Sequence, residues 1–368
     1  MNDEMASDVR MCAACPKMCR HVCPTFFAWR SDAPTPHGRA LLLHQEIKGV
    51  RELDERAIQV LYQCLECSHC LTWCKPEIDI ASIVESRRTE LAEEGRQPTA
   101  IKDLVSIVRS NHNPFDEPHS KRLEKLELPT SKNPDIVYFT GCTSAYQEEE
   151  IANSTINVLS RLGFKVALLE DEWCCASPLF RTGSLEAALE QANHNVEILN
   201  AHSAEKIVVS CPGCLRALTI DYPKHGLEIT KPIYHISQFL DMHRDGLGET
   251  DPSIQVTYHD PCHLGRHCNV YDEPRRVIES ISGIPPSEME RNRENAMCCG
   301  NGAGLRLMYP DASKKIGRER IEQALRTGSK LLLSTCPFCK NLLKQQAGDE
   351  IEVLDLVEFV DKYTKDVN

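Results

Sequence analysis

Residues 206–214, KIVVSCPGC, and residues 329–339, SKLLLSTCPFC, decide the fold. Each is a short apolar run that reads as a buried strand and ends on a Cys-Pro-x-Cys turn. Working outward from the first, IVYFTGC at 136–142 is a strand ending at Cys142, and FKVALLE at 164–170 is a strand before a loop that holds Cys174 and Cys175. Helical periodicity fills roughly 146–162 and 184–202 between them. The set then recurs. IQVTYHDPC at 254–262 ends at Cys262, a loop holds Cys298 and Cys299, and the second quoted strand ends at Cys336 and Cys339. Matching cysteines are offset by 120, 124, 124, 125 and 125 residues, a constancy that indicates internal duplication. Strands alternating with helices predict a small parallel sheet in each half. Cysteines at the carboxyl ends of such strands lie where these sheets bind ligands.

Upstream the character changes. Residues 37–63 and 78–110 have helical periodicity and no strand signal, and they flank two dense cysteine blocks. Residues 111–135 carry four prolines and many charges, as a linker would. The expected organisation is an α+β multidomain chain. It has a helical N-terminal domain at 1–110, a linker at 111–135, module one at 136–250 and module two at 251–368, each module α/β with a small parallel sheet.

Nineteen cysteines in 368 residues is the number that points to chemistry. The N-terminus, MNDEMASDVR, lacks the apolar core of a secretory signal. No apolar stretch is long enough to span a bilayer. A cytoplasmic chain, peripheral on the membrane's inner face at most through a partner, is expected. In that reducing compartment thiols are metal ligands or redox groups rather than disulfides. The formal net charge of −12 argues against nucleic acid as a partner.

The block Cys64, Cys67, Cys70, Cys74 has the C-x2-C-x2-C-x3-C spacing of a cubane [4Fe–4S] site. Three close thiolates cap three irons, and the fourth is thrown toward the other cluster. The block Cys12, Cys15, Cys19, Cys23 has three residues rather than two between Cys15 and Cys19, and it is followed by Pro24. The expected sets are therefore Cys12, Cys15, Cys19 with Cys74, and Cys64, Cys67, Cys70 with Cys23. Structural zinc sites use C-x2-C pairs separated by long gaps, which these tight quartets are not. In each module five thiolates exceed the four a cube or zinc needs, which argues for an expanded cluster.

The helical connection between the blocks resembles the all-helical ferredoxin domain of succinate dehydrogenase-type iron–sulfur subunits. The modules resemble the CCG-type cysteine-rich domains of heterodisulfide reductase catalytic subunits. Relatives include the iron–sulfur subunits of glycolate oxidase and of anaerobic glycerol-3-phosphate dehydrogenase. Cys298–Cys299–Gly300 matches the motif, and Cys174–Cys175–Ala176 has alanine in place of glycine.

The resemblance implies a non-cubane [4Fe–4S] cluster in each module. Cys142, Cys174, Cys175, Cys211 and Cys214 would serve module one, and Cys262, Cys298, Cys299, Cys336 and Cys339 module two. It further implies one component of a larger oxidoreductase, which passes electrons from the cubanes to these sites, where a small disulfide is reduced or formed. The alternative is an iron–sulfur relay in a flavin-linked glycolate, lactate or glycerol-3-phosphate dehydrogenase that feeds a quinone-linked acceptor. No G-x-G-x-x-G opens a helix, so a flavin must come from a partner, a flavoprotein or a membrane cytochrome b.

Gly141 and Gly300, with Gly302 and Gly304, sit beside ligand cysteines, as backbone that approaches a cluster or as ordinary turns. His259, Asp260 and His263 surround Cys262, as proton donors or strand caps. Arg181 and Arg306 read as solvated surface arginines, or as a clamp for an anionic substrate. Cys268 has no counterpart in module one and reads as a spare thiol.

Overall fold

The computed structural model describes residues 2–126, 133–247 and 254–364. Residues 2–126 contain helices and no strand among the described residues. Local sequence explains where several of these helices begin. Asn2, Thr35 and Asp54 each accept a hydrogen bond from a backbone N–H of the first turn, and Pro36 occupies a first-turn position where no N–H is needed.

Two small parallel sheets follow. The first contains β1 (Ile136–Phe139), β2 (Val166–Leu168), β3 (Lys206–Val209) and β4 (Ile233–His235), in the order β2-β1-β3-β4. The second contains β5 (Val256–His259), β6 (Leu331–Ser334) and β7 (Glu352–Asp355), in that order. The short strands at 233–235 and 352–355 carry no signal that the sequence reading used. Phe139 pairs with Val209, and His259 pairs with Ser334, so the two central strand pairs are in the same register. The second sheet replaces β2 with a single parallel bridge, Thr257 to Ser287.

One apolar core joins the sheets. Tyr138 and Val208 of the first sheet share it with Tyr258 and Leu333 of the second. Helix Thr99–Asn111 buries Leu104 and Val108 in the core beneath Cys174 and Cys175. Helix Pro24–Trp29 packs on helix Pro310–Leu325 of module two, with Trp29 edge-on to Tyr309 at 5.5 Å. The N-terminal helices thus touch both modules.

Within the stretch read as a linker, Asn113, Arg122 and Leu126 are buried. Its residues 127–132 lie outside the described residues, as does the expected boundary at 250/251. Among the described residues no helix is long and apolar enough to cross a membrane.

Candidate metal centres

The N-terminal cysteines come from helix ends and tight turns. Cys12 lies in the last turn of helix Asp3–Ala13, and Cys23 precedes Pro24 at the start of the next α-helix. Glu66 and Ser68, between the cysteines of the second block, adopt left-handed φ of 48° and 52°, which coils the chain tightly enough to turn its thiols inward. Burial, then Cys19, Cys15 and Cys74, push the Cys12 thiol up to about 12. Burial, then Cys67, Cys64, Cys19 and Cys23, push Cys70 well above its ordinary value. A cavity is lined by Cys23, Cys64, Cys67 and Cys70. Cys74 thus lies with Cys12 and Cys19, while Cys23 lies beside Cys19 of its own block and also lines the cavity of Cys64, Cys67 and Cys70. Backbone N–H groups already point at sulfur, from Glu66 to Cys64 at 3.4 Å and from Ile78 to Cys74 at 3.3 Å. Crowded thiols, with Cys12 and Cys70 resisting ionisation and amides aimed at Cys64 and Cys74, suit a polycationic cluster that holds them as thiolates.

In each module the thiols gather at the carboxyl ends of the parallel strands. Cys142 opens a helix just after β1, and Cys211 and Cys336 cap the helices that follow β3 and β6. In module one the Cys142 and Cys174 sulfurs are 3.9 Å apart. Cys174, then Cys214, pull the Cys175 thiol down to about 5. In module two Cys262, Cys299 and Cys67 all lie against Cys298, and their contact pushes its thiol well above the ordinary value. Cys298, then Cys339, pull Cys299 well below it. The modules also meet each other, because Cys214 and then Cys336 hold Cys211 well below its ordinary value. All five expected thiols converge in each module, and all nineteen cysteines of the chain are free.

The glycine expectations separate by geometry. Gly141 has φ 74°, and a Cβ there would stand 3.0 Å from the Cys214 sulfur. Gly300 has φ 99°, and a Cβ would meet the Ser313 carbonyl oxygen at 2.8 Å. At the matching position Ala176 has φ 61°, inside the left-handed well that a non-glycine residue can occupy. This milder turn accommodates alanine where the motif has glycine.

Charged residues lock the cysteine loops. Glu172 accepts hydrogen bonds from Thr140 N–H and Gly141 N–H at 2.9 and 2.8 Å. Asp260 accepts two from Arg275, at 2.7 and 2.9 Å, and one from Arg293 N–H. Asp260 is therefore a loop clamp rather than a free proton donor.

Arg181 corrects the sequence reading. It is 1% exposed and pairs with Asp221 at 2.6 Å and Glu85 at 2.9 Å, so it is neither a surface arginine nor open to substrate. Its partners Glu85 and Asp221 are distant in sequence, a placement that residue spacing alone cannot reveal. Arg306, half-buried, donates to Asn341 and Gln345. Burial, then Asp221, raises the Cys268 thiol to about 12.

The N-terminal blocks are docked differently on the two modules. Against module one the contact is made by buried arginines: Arg88, paired with Glu66 of its own part at 2.6 Å, donates to the Arg181 carbonyl at 2.6 Å, and Arg181 forms an ion pair with Glu85 at 2.9 Å. Against module two it is the cysteine loop itself. Cys67 and Leu65 share a core with Cys298 and Cys299. Arg266 donates to the Cys67 and Ala296 carbonyls, and Trp73 donates to Asn295.

Two residues beside the thiols were not singled out for what they do here. Arg320 is buried, and burial pulls its guanidinium down to about 10. Its Nε–H donates to Nδ1 of the buried His259 at 2.9 Å. Asn195, equally buried, donates to the Trp173 and Cys174 carbonyls in module one. A basic residue on an otherwise buried helix face was the available signal for Arg320.

Parallel sheets with two converging thiol sets define a cysteine-rich oxidoreductase, and the comparisons with known proteins agree. The CCG cysteine-rich domain family matches residues 136–219 and again 256–344. One component of the dihydromethanophenazine:CoB–CoM heterodisulfide reductase of Methanosarcina barkeri is 36% identical, over 95% of this chain and 92% of that one. One component of the fumarate reductase (CoM/CoB) of Methanothermobacter marburgensis is 29% identical, over 82% of this chain and 61% of that one. The EtfAB:quinone oxidoreductase of Syntrophomonas wolfei is 26% identical, over 82% of this chain and 46% of that one. A hypothetical protein from Helicobacter pylori, 13% identical, shares the fold with a TM-score of 0.59 over 90% of this chain and 68% of that one. This chain belongs to the family of CCG cysteine-rich heterodisulfide reductase components, and it is the iron–sulfur part of an oxidoreductase of that kind.

Proposed function

We propose that this chain delivers two electrons to a small disulfide. In this reading Cys12, Cys15, Cys19 and Cys74 hold one cubane [4Fe–4S] cluster, and Cys64, Cys67, Cys70 and Cys23 hold the other. Cys142, Cys174, Cys175, Cys211 and Cys214 hold a non-cubane cluster in module one. Cys262, Cys298, Cys299, Cys336 and Cys339 hold its counterpart in module two. The observation that carries the reading is the pair of complete five-thiol sets that touch through Cys211 and Cys336.

When bound, the clusters supply one-electron transfer from the N-terminal blocks and, in the modules, two iron centres for the two sulfurs of a disulfide. The balance is one disulfide, two electrons and two protons in, two thiols out. The chain's own residues support this order. Cys67 packs in one core with Cys298, which sets the second block directly against module two. Cys15 and Cys19 are half-buried, and Met11 and Met18 beside them are exposed, which favours this edge for the docking of a donor. The donor in this reading is a flavoprotein or a membrane cytochrome b, which would bring the chain to the membrane's inner face.

A relay to quinone is the second reading, favoured by the similarity to the EtfAB:quinone oxidoreductase. The two separate in one experiment. Cys175→Ala and Cys299→Ala, made singly, should each abolish disulfide reduction driven by an artificial reductant while the cubane signals persist. Near-native disulfide turnover in either variant contradicts the two-site mechanism. Quinone-linked turnover retained with a flavin partner would then select the relay.

A further inference from the structure

The two modules differ beside their adjacent cysteine pairs. Module one ends its first strand on Phe139, and module two ends the same strand on His259, in matching register with Val209 and Ser334. His259 is fully buried. One of its ring nitrogens lies with the Cys299 and Cys339 sulfurs, all within 4.8 Å of one another. Nδ1 is taken: the Arg320 Nε–H donates to it at 2.9 Å. Nε2 has no hydrogen-bond partner among the described residues.

Arginine can only donate, so Nδ1 must accept through its lone pair. In a neutral imidazole the proton then sits on Nε2. A nitrogen that carries a proton has no lone pair for iron, so Arg320 bars His259 from ligation and makes it a donor. Arg320 is itself fixed by the Arg291 carbonyl at 2.8 Å and by Gln323 at 2.7 Å, so the tautomer is imposed by a rigid frame. Module one has no such pair. Phe139 cannot donate, and the residue 125 positions before Arg320, as Cys211 is before Cys336, is the uncharged Asn195.

We propose that His259, positioned by Arg320, donates an Nε2–H···S hydrogen bond to the Cys299 thiolate and so makes the module-two cluster the more easily reduced of the two. A donor to a ligating sulfur stabilises the more negative, reduced state. The inference rests on the proposed function insofar as module two must hold a cluster. It makes His259 and Arg320 positioning residues that tune a potential.

The experiment is an anaerobic redox titration of the full chain followed by electron paramagnetic resonance, with histidine labelled by 15N. In the wild type, the module-two signal should show a weak 15N coupling and an exchangeable deuteron, and neither requires a variant. In His259→Phe both should vanish. At a fixed poise the reduced-to-oxidised ratio of that signal should then fall about tenfold, which is 59 mV for a one-electron couple, with module one unmoved. Arg320→Met, which frees the tautomer, should shift it the same way. Arg320→Lys, which keeps a donor to Nδ1, should restore most of it. An unchanged module-two midpoint in His259→Phe, or a strong coupling from directly bound 15N in the wild type, overturns the inference and leaves the proposed function standing. A wild-type chain with iron in the cubanes alone overturns both.

Discussion

Module one and module two gather the same five thiols at the same strand ends, yet they hold them by different means. Module one anchors its cysteine loop through Glu172 and turns past Cys175 on Ala176 at φ 61°. Module two anchors through Asp260 and turns past Cys299 on Gly300 at φ 99°. The N-terminal helices meet module one through the Arg181–Glu85 ion pair and the Arg88 bond to the Arg181 carbonyl, and meet module two through Cys67 itself. A repeated thiol pattern thus conserves the metal-binding capacity while the residues around it divide the roles. Module two receives the contact from the N-terminal block, and module one lies one contact further on, through Cys211 and Cys336.

The sharpest break of this comparison removes a whole centre. Cys74→Ser should abolish the signal of the site formed by Cys12, Cys15 and Cys19 and leave the site of Cys64, Cys67 and Cys70 intact. Paramagnetic resonance of the reduced protein checks this. Loss from the second site alone would contradict the exchange of fourth ligands.

The next effect concerns docking on module one. Arg88→Ala removes the hydrogen bond to the Arg181 carbonyl and leaves the buried Glu66 with Arg181, at 3.8 Å, as its ion partner, at a cost of about 3–5 kcal/mol. Anaerobic thermal melts should show the loss, and a change below ~1 kcal/mol would mean that Arg88 does not hold the two parts together.

Smaller again is the turn beside the adjacent cysteines. Gly300→Ala should cost about 1–3 kcal/mol, because φ 99° strains any side chain and its Cβ meets the Ser313 carbonyl. Ala176→Gly should change stability by at most about 1 kcal/mol, since the left-handed well costs alanine little more than that. Equal effects at the two positions, measured in the same melts, would erase the geometric difference between the modules.

Much of this architecture was legible in the sequence because the signals were local. Apolar runs ending on Cys-Pro-x-Cys placed β3 and β6, similar runs ending on a single cysteine placed β1 and β5, and the steady cysteine offsets placed matching thiols at matching strand ends. What the sequence did not disclose depends on contacts made far along the chain. Arg181 read as a surface residue because its partners Glu85 and Asp221 are distant in sequence. Asn113, Arg122 and Leu126 looked like linker because prolines and charges mask the few side chains that anchor the segment. The strand at 352–355 is bounded by the acidic residues Glu352 and Asp355 and has no apolar run or cysteine to mark it. His259 drew notice as a candidate acid, but its role depends on which ring nitrogen Arg320 occupies, and that is a fact of packing alone.

The central claim is that both modules, as well as both N-terminal blocks, hold iron. Anaerobic analysis of the purified full chain tests it most directly, with zinc measured alongside iron and acid-labile sulfide. Four [4Fe–4S] sites predict about 16 iron atoms and as many sulfides per chain, falling by about four of each in Cys175→Ala and again by about four in Cys299→Ala. Zinc in place of iron, or about eight irons that neither variant reduces, would contradict the account.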